Sequence, residues 1–404
     1  MSLQRSDLAR LRLVSQGLIE PWESPAQVVR AFGCTQGQDL PGSTLSLALR
    51  TRGRRLAEVH EAYDAGLIVR SWPMRGTLFV VLAADLGWML TLTAEKVIRS
   101  TARRREQLGL TDSQLERAAR IARDALNHTA LGRAELLAAF TEGGHGIDGG
   151  RGYHTLFHLA VQGLIVQGPM GRKENLWVRS DQWIRTPRAF SGADAIAHWL
   201  RRYLDTHGPV PISEFLWWTK LLKRDLGEVL PQLRTEYRQV ELDGVEYWFR
   251  PELPDRASDL GSSVARPLLL PGFDEYILGY GDRSHALTRE QEALVVPGGN
   301  GIFRPTVIHR GRAVATWQRA TRKGQPAVAR PFTGTLNAVV SRALPALTAA
   351  LPRSLLTAPP ECPTVRTTAM SARVPCESGS SPTDHPKGRH HGSPPGGHRT
   401  RLLC

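Results

Sequence analysis

The sequence predicts an α+β chain of tandem helix–hairpin units followed by a strand-rich segment, on three observations. Helix-period segments end twice in the same string, Gly66-Leu-Ile-Val and Gly163-Leu-Ile-Val. Each string opens a pair of short β-rich runs separated by turn residues. Downstream of about Ala265 the pattern changes from helical spacing to short β-branched runs, and from about Ser354 it loses periodicity altogether. A chain of 404 residues holds about two to four domains of ordinary size.

The first unit begins with Leu8-Ala-Arg-Leu-Arg-Leu-Val, continues with Ser24-Pro25 as cap and first residue of a helix through Phe32, and reaches a third helix over about 54–65. Gly66-Leu-Ile-Val-Arg-Ser-Trp and Gly76-Thr-Leu-Phe-Val-Val then form a hairpin across Pro73-Met-Arg-Gly. A second copy runs through helices near 112–126, 133–140 and 153–162 into Gly163-Leu-Ile-Val and Asn175-Leu-Trp-Val. A looser third copy has helices over 195–204, 212–218 and 224–233 and a hairpin, Gln239-Val-Glu-Leu and Glu246-Tyr-Trp-Phe, over Asp243-Gly244. Three helices closed by a hairpin is the winged helix-turn-helix plan, in which the third helix enters a DNA groove. The expected organisation is three such modules, 1–95, 96–190 and 191–255. A β-rich C-terminal domain with a small barrel-like element, 256–354, and a disordered tail, 355–404, complete it. The strands expected in the β-rich part are Pro267-Leu-Leu-Leu-Pro, Tyr276-Ile-Leu-Gly-Tyr, Pro305-Thr-Val-Ile-His and Ala313-Val-Ala-Thr-Trp.

Lys and Arg number 52 against 38 Asp and Glu, a net charge of +14, which points to a polyanionic partner. The tail carries six cations and three acids, so +11 stays with the body and the inference does not depend on the tail. No apolar run approaches the ~20 residues of a membrane span, and the N-terminus lacks the apolar stretch of a secretory signal, so a cytoplasmic, nucleoid-associated protein is expected. Cys34 is alone in the body, with Cys362, Cys376 and Cys404 in the tail and no paired spacing, which argues against a zinc or disulfide framework. His154 and His158 stand four apart on a helix, a metal-sharing spacing with no third ligand. The plainer reading has one contacting DNA and the other packing beside Phe157. His385, His390, His391 and His398 in the tail are read as binding nothing physiological. No cofactor or metal is expected, and the nucleotide-binding and hydrolase motifs with fixed spacing are missing.

The segment Phe32-Gly-Cys-Thr-Gln-Gly-Gln-Asp-Leu-Pro-Gly-Ser places Gln36, Gln38 and Asp39 on a short turn between glycines. Residues two apart on extended backbone project to one side, so both amides can converge on a small ligand such as water. The alternative is a polar loop whose glutamines cap neighbouring backbone. This string, followed by Leu45–Arg52, Ser71-Trp-Pro-Met-Arg-Gly-Thr-Leu and Asp85-Leu-Gly-Trp, resembles the bacterial AlkZ/YcaQ family, the winged-helix DNA glycosylases of alkylated and crosslinked DNA. Pro271-Gly-Phe-Asp-Glu-Tyr-Ile-Leu-Gly-Tyr-Gly-Asp-Arg-Ser and Arg310-Gly-Arg-Ala-Val-Ala-Thr-Trp resemble that family's C-terminal part, so the likeness covers about residues 5–352.

The resemblance implies three tandem winged helices with a β-barrel element around alkylated or crosslinked duplex DNA, and a Gln-x-Gln motif, here Gln36-Gly37-Gln38, that supports hydrolysis. Two departures stand out: Gly37 replaces a larger aliphatic residue, which is expected to loosen the turn, and Phe79 stands where the family has histidine, which is expected to weaken pocket contacts. The text after Arg353 has no counterpart and reads like an altered frame, which resequencing the 3′ end of the coding region would settle. An N7-alkylated guanine is already cationic and leaves without a general acid, so amides that position water are sufficient. Asp39 either stabilises developing positive charge or takes a proton late, or is a local cap. Arg50, Arg52, Arg54 and Arg55, the Arg103, Arg104, Arg105 cluster and Arg283 are expected at DNA. Met74 and Arg75 at the hairpin tip are expected to reach the minor groove or wedge at a lesion. A monomer without an obligate protein partner is expected, since three modules surround a duplex unaided. The competing readings are a noncatalytic transcriptional regulator and an inactive family member.

Overall fold

Capping residues and apolar spacing set the first elements. The computed structural model describes residues 3–299, 301–320 and 325–351. These residues lie in one compact unit, Met1–Ser354. Its N-terminal part contains α1 (Arg5–Ser15), α2 (Pro25–Phe32), β1 (Cys34–Gln36), α3 (Leu40–Leu49), α4 (Leu56–Asp64), β2 (Ile68–Met74) and β3 (Thr77–Leu82). The Ser24 side chain accepts from Gln27 N and Pro25 opens α2, as the sequence predicts. Helix α3 was not expected. Its Pro41 and Gly42 look like turn residues, but they occupy the first helical turn, where a missing N–H costs nothing.

The expectation that α1 is the first helix of the first copy is corrected by its packing. The Tyr276 hydroxyl donates to Ala9 O at 3.1 Å, and Arg12 donates twice to Pro209 O at 2.9 and 3.0 Å. Gly311, at φ +76°, lies so close that a Cβ there would sit 2.6 Å from that of Ala9. The buried face of α1, Leu8, Leu11 and Val14, therefore joins Tyr276, Ala286 and Ile308. Helices α2, α3 and α4 share a cluster of Val28, Phe32, Leu47, Val59 and Tyr63 with Ile68 and Val80 of the hairpin.

Next come α5 (Leu86–Ser100), α6 (Ala102–Gln107), α7 (Asp112–Ala125), α8 (Arg133–Glu142), α9 (Arg151–Val161), β4 (Ile165–Met170) and β5 (Asn175–Arg179). Strands β1, β3, β2, β4 and β5 form one antiparallel sheet in that order, so the two expected hairpins are joined rather than separate wings. The junction is a single register pair, Arg70 with Gln167.

The third part contains α10 (Ser180–Trp183), α11 (Gly192–His207), α12 (Ile212–Thr219), α13 (Leu230–Leu233), β6 (Arg238–Leu242) and β7 (Val245–Phe249). The helix expected over 224–233 is broken into a 3-10 turn, Lys223–Leu226, and the single turn of α13, which Pro231 opens. The β6–β7 hairpin turns at Asp243 and Gly244, both at positive φ, as the sequence predicts.

The C-terminal part holds α14 (Leu253–Asp259), β8 (Leu268–Leu270), α15 (Glu275–Leu278), α16 (Arg289–Val295), β9 (Thr306–His309), β10 (Arg312–Gln318), β11 (Val328–Pro331) and α17 (Ala338–Ala349). Among the described residues its sheet is open, in the order β11-β10-β9-β8, which corrects the barrel-like expectation. Tyr276-Ile-Leu, expected as strand, is the helical turn α15, because the Asp274 side chain caps it at Tyr276 N. Among the described residues no helix is long and apolar enough to cross a membrane, and no group of three or more His, Cys, Asp or Glu could hold a metal. His158 is buried, and burial above all pushes its imidazole down to about 4. The tail assigned as disordered, with its histidines and cysteines, lies outside the described residues.

Candidate active site

The Gln36–Asp39 turn lies where β1 passes into α3. Gln36 is the last residue of β1 and pairs with Phe79, and Asp39 caps α3 by accepting from Gly42 N at 3.1 Å. The Gln36 carboxamide oxygen accepts from Gly37 N at 2.7 Å and Gln38 N at 2.9 Å. Two backbone donors on one oxygen fix the amide's orientation, with its NH2 turned away. The Gln38 side chain is exposed, and no hydrogen bond to its amide is formed within the described residues. The two glutamines therefore differ: one closes the turn, and the other is presented by it.

Gly37 tightens the turn, contrary to the expectation that glycine loosens it. A Cβ there would meet the Phe79 carbonyl carbon at 2.8 Å and Val80 N at 3.0 Å, both backbone atoms that cannot yield cheaply. The strand-to-turn crossing thus needs a residue without a side chain. Gly37 N donates to Leu78 O at 2.8 Å, and Gly37 O accepts from Arg70 Nε and Nη2 at 3.1 and 2.5 Å. Arg70 also donates to Gln167 Oε1 and Asn175 Oδ1, at 2.9 and 3.2 Å. One buried guanidinium ties the turn to the hairpins on either side.

The far-downstream motif comes directly against this turn. Glu275 Oε1 accepts from Gln36 N at 2.7 Å. Its other oxygen is buried with no hydrogen-bond partner among the described residues and stands 3.8 Å from His207 Nε2, beyond hydrogen-bond reach. Burial lowers the His207 imidazole despite the pull of Glu275, so the ring is largely neutral at pH 7. Asp274, one residue earlier, receives Ser46 Oγ at 2.6 Å and a two-pronged contact from Arg50 at 2.8 and 2.8 Å. Phe273, at φ +59°, makes the sharp entry into this acidic pair. Burial raises the Asp39 carboxyl, while the Gly42 N–H and Arg70 pull it back only in part.

The remaining candidates are distributed unevenly. Arg50 is fully buried in its pair with Asp274, which removes it from any phosphate and corrects its placement at DNA. Met74 is fully buried in β2 and Arg75 is largely enclosed, so the hairpin tip is not the free wedge expected. The tip packs inward because Trp72 and Leu78 on either side of it join the core of α7, α8 and α9. Arg283 is held by Ile277 O and Glu292, with its guanidinium over Trp217 and Phe303. Arg52 and Arg55 are exposed and paired with Glu23 and Glu58, Arg54 is half-buried at φ +50°, and Arg103 and Arg104 are exposed on α6. Phe79 is a core ring, edge-on to Trp218 at 6.2 Å, rather than a pocket wall.

The model of the family described as DNA glycosylase AlkZ-like matches residues 29–355. The chain belongs to the AlkZ-like DNA glycosylase family. It is similar to the interstrand DNA cross-link repair glycosylase of Streptomyces sahachiroi, 25% identical over 335 residues, which cover 78% of this chain and 88% of that protein. Its fold is similar to that of the solved Streptomyces sahachiroi DNA glycosylase AlkZ. The TM-score is 0.70 at 22% identity, over 87% of this chain and 98% of the other.

Within this AlkZ-like chain, Glu275 and Arg70 are the site residues that sequence reading did not assign. Glu275 lies inside the downstream string Pro271-Gly-Phe-Asp-Glu-Tyr, whose residues carry no role in the sequence alone. Arg70 carried a visible signal, a lone cation in the otherwise uncharged strand Ile68-Val-Arg-Ser-Trp.

Proposed function

We propose that the protein is a monofunctional DNA glycosylase that hydrolyses the N-glycosidic bond of alkylated, N7-alkylguanine-type or crosslinked nucleotides in duplex DNA. Water is positioned by the Gln36-Gly37-Gln38 turn. The observation that carries this reading is the exposed Gln38 amide, without a partner among the described residues, on a turn whose other polar groups are held by Gln36, Leu78, Arg70 and Glu275. The fixed backbone of the turn sets where the Gln38 amide starts, and positioning of the water supplies the rate.

In the reaction, the bond from C1′ to the base nitrogen breaks with its electron pair going to the base. The cationic alkylated base thereby leaves neutral. Water adds to C1′ from the opposite face and gives up a proton to solvent, leaving an abasic sugar. The Gln38 amide oxygen accepts a hydrogen bond from that water. Gln36 holds the Gln38 backbone rather than the water itself. Asp39 is assigned to capping α3 and to the electrostatics of the turn. Crosslinked DNA is included because the name of the Streptomyces relative specifies cross-link repair. Exposed Arg103 and Arg104, with Arg52, Arg54 and Arg55, are assigned to the phosphate backbone, where contacts hold register without reading sequence. The protein acts as a monomer at the nucleoid.

The test measures free base released from a duplex containing N7-methylguanine and from a nitrogen-mustard crosslink. Gln38→Ala is expected to lower the release rate at least about 100-fold at unchanged melting temperature. Gln36→Ala is expected to lose both rate and stability, the latter by about 0.5–2 kcal/mol, as for a lost cap. Base release that survives Gln38→Ala at the wild-type rate would overturn the assignment of the water. Tight duplex binding with no release by the wild type would favour a noncatalytic protein.

A further inference from the structure

We infer that Arg75 and Lys220, both against Trp217, and Lys96 beside Lys220 form a cradle for one backbone phosphate of the DNA strand that passes the Gln36–Gln38 turn. The inference rests on the DNA-glycosylase reading and names a subsite within it. Three elements supply the cations: the β2–β3 tip, α5 and the C-terminal end of α12. The Arg75 guanidinium carbon lies 5.3 Å from the Trp217 ring centroid and Lys220 Nζ lies 5.5 Å from it. Lys96 Nζ donates to Lys220 O at 2.6 Å, which brings the third cation to the same edge.

Arg75 carries the argument furthest. Its guanidinium is held between the rings of Phe79 and Trp217, at 5.5 and 5.3 Å. No hydrogen bond is formed to it among the described residues, and its Nε is buried without a partner. A largely enclosed guanidinium that makes no hydrogen bond to its neighbours keeps its donors for a ligand, and its positive charge favours an anionic one. Glu275, whose Oε1 holds Gln36 N, is the main charge that favours charged Arg75 but makes no hydrogen bond to it among the described residues, and Glu95 beside Lys96 pairs with Arg99 at 3.2 Å. Lys220 is pushed down by burial and then by Arg75 and Lys96, an electropositive setting.

Backbone conformation adds an independent sign. Arg75 sits at φ +55° and Lys220 at φ +61°, in the left-handed region where glycine or asparagine is the ordinary choice. The cradle also lies close to the turn, since Phe79 under Arg75 is the strand partner of Gln36. A phosphate seated there would fix the strand relative to Gln38, the geometry that hydrolysis needs.

Full-length wild type, Lys96→Gln/Lys220→Gln and Lys96→Arg/Lys220→Arg would be compared on an undamaged duplex over a range of salt concentrations. Both lysines are exposed, so thermal melting should be the same for all three. The Gln variant is expected to bind about tenfold more weakly near physiological salt. Its slope of log affinity against log salt should be shallower by about 1, with the Arg variant close to wild type. Wild-type affinity and slope in the Gln variant would overturn the cradle. The same proteins assayed on N7-methylguanine duplex separate the two readings. Cradle-dependent binding without base release by the wild type overturns the chemistry and leaves the cradle standing, and unaltered binding with base release does the reverse.

Discussion

Gln36 and Gln38 have the same side chain two residues apart, yet the backbone assigns them different tasks. Gln36 spends its carbonyl oxygen on two N–H groups of the turn, whereas Gln38 keeps its amide for solvent or substrate. What holds Gln36 is the buried carboxylate of Glu275 on its N–H, at 2.7 Å. Removing that acceptor leaves a buried donor unsatisfied at a cost of about 1–3 kcal/mol, while an amide in its place still accepts. Glu275→Gln is therefore expected to keep most of the base-release rate, and Glu275→Ala to lose stability by that amount and rate with it. The effect should fall on kcat rather than KM, because Glu275 is buried beneath the turn and acts through Gln36 N. Equal behaviour of the two variants, or a loss confined to KM, would contradict the role.

At the level of elements, α3 and α15 are clamped by charge. Ser46 and Arg50, four residues apart on one face of α3, converge on Asp274 at the start of α15. Burial pushes the Asp274 carboxyl up, but Arg50 and Ser46 pull it further down, leaving it below the ordinary value. Asp85 behaves alike: burial raises it, and Arg202 with its other partners depresses it overall. A carboxyl depressed in the folded state contributes stability above its unfolded pKa of about 3.9, and that stability is lost as pH falls through the folded value. Urea unfolding should thus give a level free energy from about pH 7 to pH 5 and a steep fall below about pH 4. A flat profile to pH 3 would mean that the two clamps contribute little. The β2–β3 tip is the other lesson at this scale. Pro73-Met-Arg-Gly reads as an exposed wing tip, but the flanking Trp72 and Leu78 draw it into the core of the second helical group.

Across the whole molecule, the two β hairpins that repeat in sequence form one structural layer. Arg70 bonds to Gly37, Gln167 and Asn175, and so joins the turn, the first hairpin and the second in a single buried network. The largest core cluster likewise runs from Cys34 and Phe79 through Val166 to Trp199 and Phe215. Buried amides of β2, β3 and β4 are accordingly expected to exchange with one common opening free energy in native-state hydrogen exchange. Separate opening of the two hairpins, differing by more than about 1 kcal/mol, would show that the modules are energetically independent. Both hairpins were legible from the repeated Gly-Leu-Ile-Val string and β-branched runs, and the Gln-x-Gln segment was legible from its unusual run of polar and glycine residues. The joining of the sheets was not, because it depends on a register pair between residues far apart in the chain.

The sequence by itself determined what local chemistry dictates: the N-cap at Ser24, the Asp243-Gly244 hairpin, the basic balance and the motif that marks the family. These depend on neighbours within a few residues, where capping, turn geometry and charge act without knowledge of the fold. Only the tertiary structure decided that Arg50 is an internal counter-ion and Gly37 a packing necessity, and that Arg75 is a largely enclosed cation with no hydrogen-bond partner among the described residues. Burial decides the use of an arginine or a glycine, since the same guanidinium costs little in water and inside needs an acceptor for each buried donor. Burial is a property of segments brought together from distant parts of the chain, as Gln36 and Glu275 are.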